Sequence, residues 1–93
     1  MTRRDPVEVW PPAAFIEDEL VARRWNLRRL LEEVGPEAAV SVNAVMNGKP
    51  MSGFAADALA AVFQTSTSLW WNLDGAWWDW LALGLRRAQE AKP

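Results

Sequence analysis

Cysteine, histidine and tyrosine are all missing from the 93-residue chain, and lysine occurs only twice. Without cysteine the chain can form neither disulfides nor thiolate metal sites. Without histidine it lacks the commonest general base and metal ligand. No nucleophile with a base partner is recognisable among the residues that remain. The sequence therefore predicts that the protein is not an enzyme and that it carries no metal or cofactor.

Long apolar runs and an excess of positive charge are also absent. No stretch of 18 apolar residues occurs, so no membrane span is predicted. The N-terminal "MTRRDPVEVWPP" lacks the apolar core of a secretory signal, so the expected location is the cytoplasm. Ten basic and 12 acidic residues give a net charge of -2, so any binding to nucleic acid must rely on a local basic patch.

Prolines, glycines and capping residues divide the chain into an N-terminal arm, residues 1–11, and one all-α domain, residues 12–93. Gly75 and Gly84 are expected to interrupt the last helix, and the polar tail from Arg86 is expected to fray. The predicted helices run from near Pro12 to Arg24, from Leu27 to Val34, from Glu37 to Asn47, from Gly53 to Phe63, and onward from a cap at Ser66.

Apolar residues three and four positions apart predict which side of each helix faces the core. These inward positions are Phe15, Ile16, Leu20, Leu27, Leu30, Leu31, Val34, Val42, Val45, Met46, Ala55, Leu59, Val62 and Phe63.

Five of the seven tryptophans lie between residues 65 and 80, on two neighbouring helical stripes. A helix that is apolar on two sides needs two partners. One of the two stripes, Trp70/Trp77 or Trp71/Trp78, is therefore expected to pack in the core, beside Trp25 and Phe63. The other is expected to lie at a subunit interface, because tryptophan often anchors interfaces.

Two other roles for the tryptophan-rich segment are less favoured by its charges. A membrane-surface anchor would have lysines beside the aromatic residues, and this segment has Asp74 and Asp79 instead. Base stacking would have arginines among the tryptophans, and the nearest are Arg86 and Arg87.

The second and third predicted helices meet at Gly35, which is the pattern of a helix-turn-helix. On spacing alone the signal is weak, because many helical hairpins share it. From Pro12 to Trp80, however, the chain resembles the Xre-type, lambda-repressor-like DNA-binding family, and above all its HigA-type antitoxin branch. The similar stretches are "PPAAFIEDEL", "ARRWNLRRLLEEVG", "VNAVMNGKP" and "FQTSTSLWWNL", of which the last is similar to the branch signature "FGTSxxFWLNLQ".

This resemblance implies a five-helix lambda-repressor-like helix-turn-helix domain with a tryptophan-rich C-terminal helix. Trp70 occupies the tryptophan position of the branch signature, so the resemblance assigns Trp70 and Trp77 to the core. Trp71 and Trp78 then face the partner subunit, with Trp80 at the boundary. The resemblance also implies a homodimer, joined through C-terminal helices, that binds a palindromic operator in double-stranded DNA. An antitoxin of this kind would repress its own operon and neutralise a RelE-like ribonuclease toxin.

The third helix would then be the recognition helix, and its outward candidates are Glu37, Ala38, Ser41, Asn43 and Ala44. Asn43 and Ser41 are expected to reach base edges, because asparagine pairs well with adenine. Glu37 could accept a hydrogen bond from cytosine, but it also repels phosphate.

Basic residues near this helix form the expected phosphate contacts. Arg28 and Arg29 begin the second helix, Lys49 follows the third, and Arg23 and Arg24 precede both. The competing interpretation is ordinary surface charge, with the two arginines paired to Glu32 and Glu33 at helical spacing. In the N-terminal arm, Arg3 and Arg4 could follow a DNA groove, although terminal arginines are more often solvated.

Several positions depart from the family pattern. Leu27 stands where a phosphate-binding glutamine is common, Leu31 where a small residue is usual, and Pro36 where an apolar residue is expected. The third helix also has no arginine or lysine. The alternative function is therefore an interaction protein, or a phage or prophage regulator, that keeps the helix-turn-helix scaffold with weak or no DNA reading.

Overall fold

A computed structural model describes residues 9–90, which form five α-helices joined by short connections and contain no strand. The all-α prediction is confirmed. Of the predicted N-terminal arm, only residues 9–11 are described, and they are not helical; Arg3 and Arg4 lie outside the described residues. The helices are α1 (Pro12–Arg23), α2 (Leu27–Val34), α3 (Pro36–Met46), α4 (Gly53–Phe63) and α5 (Thr67–Glu90).

Side-chain caps begin three of these helices, as the sequence predicted. Asn26 Oδ1 accepts a hydrogen bond from the Arg29 amide at 2.9 Å. The hydroxyls of Ser52 and Ser66 each accept one from the amide three residues later, both at 3.2 Å. Each cap satisfies a backbone donor that the first turn of a helix leaves unpaired.

The junction between α2 and α3 is a single residue, Gly35, with a φ of +86°. That region of backbone space suits glycine because it has no Cβ. Pro36 then occupies the first turn of α3, where its missing N–H costs nothing. As a result α3 begins and ends one residue earlier than predicted, closing at Met46.

The core lies where α3 and α4 pack together, with α2 against α3 and α5 against α4. Phe63 lies between two indoles, with ring centroids 6.5 Å from Trp25 and 6.0 Å from Trp70. Trp70 is only 1% exposed and packs on Phe63, so its assignment to the core and this predicted neighbour are confirmed, while Trp25 adjoins Phe63 on its other side. The most deeply buried aliphatic side chains are Ile16, Leu30, Val42 and Leu59.

Helix α5 is continuous for 24 residues, so the predicted interruptions at Gly75 and Gly84 are wrong. Of the tail that was predicted to fray, Arg86 to Glu90 are helical and residues 91–93 lie outside the described residues. Glycine lowers helix propensity by about 1 kcal/mol but its backbone accepts helical angles, and the surrounding residues outweigh that cost. At 1.5 Å per residue the helix is about 36 Å long. Every residue from Ala82 to Glu90 is exposed, so this end projects from the body. Within the described range, no helix has the length and apolar character needed to cross a membrane.

Candidate functional site

The exposed side of α3, which we call the α3 face, carries Glu37, Val40 and Asn43, with Ser41 and Ala44 half-buried beside them. The opposite side of the helix is held in the core by Val42 and Val45. The α3 face therefore presents an amide, a hydroxyl, a carboxylate and methyl groups to the outside. These are groups that can meet base edges and thymine methyls in a major groove.

Two residues of α3 are not where the sequence placed them. Ala38 was predicted to point outward, but it is buried, because it lies on the same stripe as Val42 and Val45 at spacings of four and three. Val40 was not predicted as a site residue, yet it is 78% exposed. The signal for Val40 was present, since Glu37, Val40 and Ala44 also follow spacings of three and four.

The C-terminal end of α3 leads toward the predicted phosphate contact. Asn47 donates a side-chain hydrogen bond to the carbonyl oxygen of Asn43 at 2.8 Å, which fixes the last turn. Lys49 follows in the connection to α4 and is exposed. Its ammonium is the nearest cation in sequence to the α3 face.

Arg28 and Arg29 are exposed on α2, and each is paired with a glutamate one turn away. Arg28 Nε lies 3.3 Å from Glu32 Oε1, and Arg29 Nε lies 2.9 Å from Glu33 Oε1. Exposed pairs of this kind contribute only about 0–1 kcal/mol, so a phosphate can compete for either guanidinium. We call Arg28, Arg29 and Lys49 the basic strip.

Arg23 and Arg29 are also held against aromatic rings. The guanidinium carbon of Arg29 lies 5.1 Å from the Trp25 ring centroid, and that of Arg23 lies 4.8 Å from the Phe63 ring centroid. Arg23 is additionally paired with Glu19. Each of these two arginines therefore makes a cation–π contact and an ion pair. The side chain of Arg23 is 30% exposed and that of Arg29 is 53% exposed, so Arg23 is the less available of the two to DNA.

The sequence analysis missed the role of Asp74, whose carboxylate links two parts of the fold. Its carboxylate is buried, and its Oδ1 accepts two hydrogen bonds, from the Met51 amide and from the Trp78 indole, each at 3.1 Å. One oxygen therefore joins α5 to the connection that carries Lys49. The available signal was an acid on an apolar stripe, four residues before a tryptophan.

The surface of α5 exposes Trp71, Trp78 and Leu85 at seven-residue spacing, and we call this row the α5 stripe. Seven residues are close to two helical turns, so the three side chains lie on one side of the helix. Their exposure leaves the predicted interface residues Trp71 and Trp78 available for a partner. An exposed row of large apolar side chains is typical of an interaction site.

Trp77 lies outside the core, contrary to the prediction. It is half-buried and stacks on Trp80, with ring centroids 5.5 Å apart and an interplanar angle of 16°. The reason is that α5 has passed beyond α4 by this turn, so its inward side meets the start of α1 instead. Trp80 is 51% exposed, consistent with a place at the boundary of a surface.

A cleft of about 460 Å³ lies where this stacked pair meets the start of α1. We call it the indole cleft, and it is lined by Val9, Trp10, Pro11, Ala13, Ala14, Glu17, Trp77 and Trp80. Within residues 9–90, no group of three acidic side chains is placed to hold a metal ion.

Comparison of the chain with protein-family models, with curated proteins and with solved structures finds no match. The function has to be argued from the surfaces just described.

Proposed function

We propose that the protein is a small homodimeric DNA-binding transcriptional regulator. The observation that carries the proposal is the α3 face, which remains exposed while α3 is anchored in the core and joined to α2 by one glycine. In helix-turn-helix proteins the second of two short helices joined by a turn enters a major groove, and we propose that α3 does so. In the proposed complex Asn43, Ser41 and Val40 meet base edges.

The basic strip supplies the sequence-independent part of the proposed binding. Arg28 and Arg29 lie in the first turn of α2 and Lys49 follows α3, so exposed cations precede and follow the α3 face along the chain. Contacts to phosphates orient a protein on DNA and make its affinity depend on salt. The carboxylate of Glu37 repels phosphate, so we expect it to accept a hydrogen bond from a cytosine instead.

The α5 stripe supplies the proposed dimer contact. Two copies that pair through Trp71, Trp78 and Leu85 would cover a row of apolar side chains that is otherwise exposed to water. A twofold axis would then present two α3 faces to a palindromic operator. By resemblance, the regulator is an antitoxin-like autorepressor, whose further partner is a RelE-like toxin.

The salt dependence of DNA binding tests this proposal. Sites are selected from random double-stranded DNA, and affinity for the best site is measured by fluorescence anisotropy over a series of salt concentrations. In Arg28→Gln/Arg29→Gln, the slope of log affinity against log salt should fall by about one to two units. The matched control is Arg86→Gln/Arg87→Gln, which removes two exposed arginines from the projecting end of α5 and should leave the slope unchanged.

An unchanged slope in Arg28→Gln/Arg29→Gln would place the phosphate contacts elsewhere, and equal falls in both double variants would make the effect one of net charge. No DNA binding by the parent protein, even at low salt, would favour the second candidate.

That second candidate is an interaction protein that has kept the helical scaffold but does not read DNA. The ion pairs Arg28–Glu32 and Arg29–Glu33 favour it, because both arginines are already partnered within α2. The same selection experiment separates the two functions, since an interaction protein would dimerise through the α5 stripe and yet enrich no DNA sequence.

A further inference from the structure

The α5 stripe belongs to a longer pattern along one exposed side of α5. A small residue follows each tryptophan of the stripe after four positions, and Gln89 follows Leu85 in the same way. The alternating spacings of four and three residues are typical of a helix that pairs with another helix. We call these six residues the heptad row, and all of them are exposed: Trp71, Gly75, Trp78, Ala82, Leu85 and Gln89. At 1.5 Å per residue the row is about 27 Å long.

Large side chains and gaps alternate along the heptad row. A Cβ placed on Gly75 would meet nothing within 4 Å, so the space beside this residue is open. Trp71 lies one turn before this gap and Trp78 lies one turn after it, and both indoles are partly exposed. The row therefore offers both the large side chains and the spaces that a closely packed pair of helices needs.

We propose that the heptad row packs against the same row of a second copy and that the two α5 helices run antiparallel. This inference rests on the proposed homodimer and adds its orientation. In a parallel symmetric pair each residue of the row meets its own copy, so Trp78 would meet Trp78 and Gly75 would meet Gly75. The tryptophan layers would hold the helices apart and leave voids at the small residues, and such voids cost stability.

The antiparallel orientation removes this mismatch. With the twofold axis beside residue 80, each large side chain of one copy lies on a smaller or polar residue of the other copy: Trp78 on Ala82, Leu85 on Gly75 and Trp71 on Gln89. Symmetry repeats every one of these contacts, so the whole row is covered on both copies.

Charges along one edge of the row favour the same orientation. Asp79 and Arg86 each follow a large residue of the row by one position, and both are exposed. Antiparallel pairing brings this edge of both copies to one seam, where two carboxylates and two guanidiniums have no net charge. Parallel pairing would set the edge against the opposite edge of the partner, which carries Asp74 and Leu81. Since Asp74 is buried, that edge would offer Arg86 no exposed acid.

The absence of cysteine allows single nitroxide labels to measure the orientation. Leu83→Cys and Glu90→Cys place a label at two exposed positions, seven residues apart on one side of α5 and outside the row. Double electron–electron resonance then gives the distance between the two copies of each label in the dimer. In the antiparallel pair the two labels are displaced along the helix by about 9 Å at residue 83 and by about 30 Å at residue 90. Glu90→Cys should therefore give the longer distance, by about 10 Å or more.

The packing is tested separately with Gly75→Leu. Its side chain would occupy the space that Leu85 of the other copy takes, so the dissociation constant of the dimer should rise by at least about tenfold. The matched control is Gly84→Leu, because a Cβ there also meets nothing within 4 Å but the position lies outside the row. Sedimentation equilibrium should find the constant of this control within about twofold of the parent value. Circular dichroism checks that both variants are folded.

Equal distances from the two labels would overturn the antiparallel orientation and leave the proposed dimer in place. A dimer that Gly75→Leu leaves unchanged or makes tighter would overturn the packing of the row against itself. A parent chain that shows no distance at all, because it is a monomer, would overturn both this inference and the proposed dimer. These measurements contain no DNA, so the proposed reading of an operator stands or falls separately, by the selection of sites.

Discussion

Two residues of α5, Trp70 and Asp74, lie one helical turn apart and join the helix to different parts of the chain. Trp70 packs on Phe63 and donates its indole hydrogen to Thr65 Oγ1 at 2.8 Å. Asp74 accepts from the amide of Met51, 23 residues away. The docking of α5 therefore depends on one ring and one carboxylate.

Truncation of Trp70 should destabilise the protein far more than truncation of its neighbour. We expect Trp70→Ala to lower the free energy of unfolding by about 3–5 kcal/mol, because it leaves a cavity in the core. Trp71 is exposed, so Trp71→Ala should change it by less than about 1 kcal/mol. Urea unfolding at a concentration where the chain is monomeric measures both. Equal losses in the two variants would contradict the core assignment of Trp70.

Removal of the Asp74 carboxylate should cost more than its neutralisation. Asp74→Ala leaves the Met51 amide and the Trp78 indole without their acceptor, at about 1–3 kcal/mol for each group that stays buried. Asp74→Asn keeps an oxygen at the same place and should retain most of the stability. Asp79→Asn, an exposed change on the same helix, serves as the control. An equal loss in Asp74→Asn and Asp74→Ala would mean that the charge matters more than the hydrogen bonds.

Sequence reasoning was sufficient for Trp70 and insufficient for Asp74, and the difference is physical. Trp70 belongs to one of two helical stripes that spacing along the chain reveals, and the tryptophan position of the family signature indicated which stripe to assign to the core. The bond from Asp74 to Met51 depends on how α5 lies across the connection between α3 and α4. Single-chain periodicity holds no information about that crossing.

At the scale of whole elements, two glycines show that the effect of a glycine depends on its backbone conformation and on its surroundings. Gly35 has a φ of +86° and sets the junction between α2 and α3. Gly75 lies inside α5, where a Cβ would meet nothing within 4 Å. The same substitution should therefore have opposite effects at the two positions.

Gly75→Ala should stabilise the protein by about 0.5–1 kcal/mol, because alanine restricts the unfolded chain and favours a helix. Gly35→Ala should destabilise it by a similar amount or more, because an L side chain is strained at positive φ. Thermal unfolding monitored by circular dichroism measures the pair. Destabilisation by Gly75→Ala would indicate that a second molecule packs closely against that turn.

Helix limits were predictable because caps and breakers act over three or four residues. Asn26, Ser52 and Ser66 each marked a start that the structure confirms within a residue. The error at α5 came from treating Gly75 and Gly84 as breaks, when glycine only weakens a helix. Trp77 was misplaced because the stripe alone cannot show where the neighbouring α4 ends.

For the whole molecule, the exposed α5 stripe is the surface through which we propose that the chain dimerises. We predict that the chain is a dimer by analytical ultracentrifugation and that Trp71→Ala/Leu85→Ala weakens the dimer by about 2 kcal/mol or more. Trp78 is left intact in this variant because its indole also bonds Asp74. Phe54→Ala, which removes an exposed ring from α4, is the control and should leave the dimer unchanged. A parent chain that sediments as a monomer at micromolar concentration would contradict the prediction.

The helical class of the molecule followed from composition and periodicity, but its activity did not. Arg28 illustrates the reason, because the same exposed arginine can bind a phosphate or pair with Glu32, four residues later. The energies of the two arrangements differ by little at an exposed site. Only a bound partner can decide between them.

In the proposed dimer, the projecting end of α5 would also link the survival of the chain to its state of assembly. From Ala82 to Glu90 the helix is exposed, so it can open locally at low free-energy cost. Opened backbone at Leu83 and Leu85 is a substrate for chymotrypsin, which should cleave there before it reaches Trp70. Cleavage should slow as the protein concentration rises, because pairing of the α5 stripes closes this end. A cleavage rate that does not depend on concentration would show that the end remains open in the assembled protein. If cleavage does slow with concentration, the same helix makes the monomer short-lived and the dimer durable.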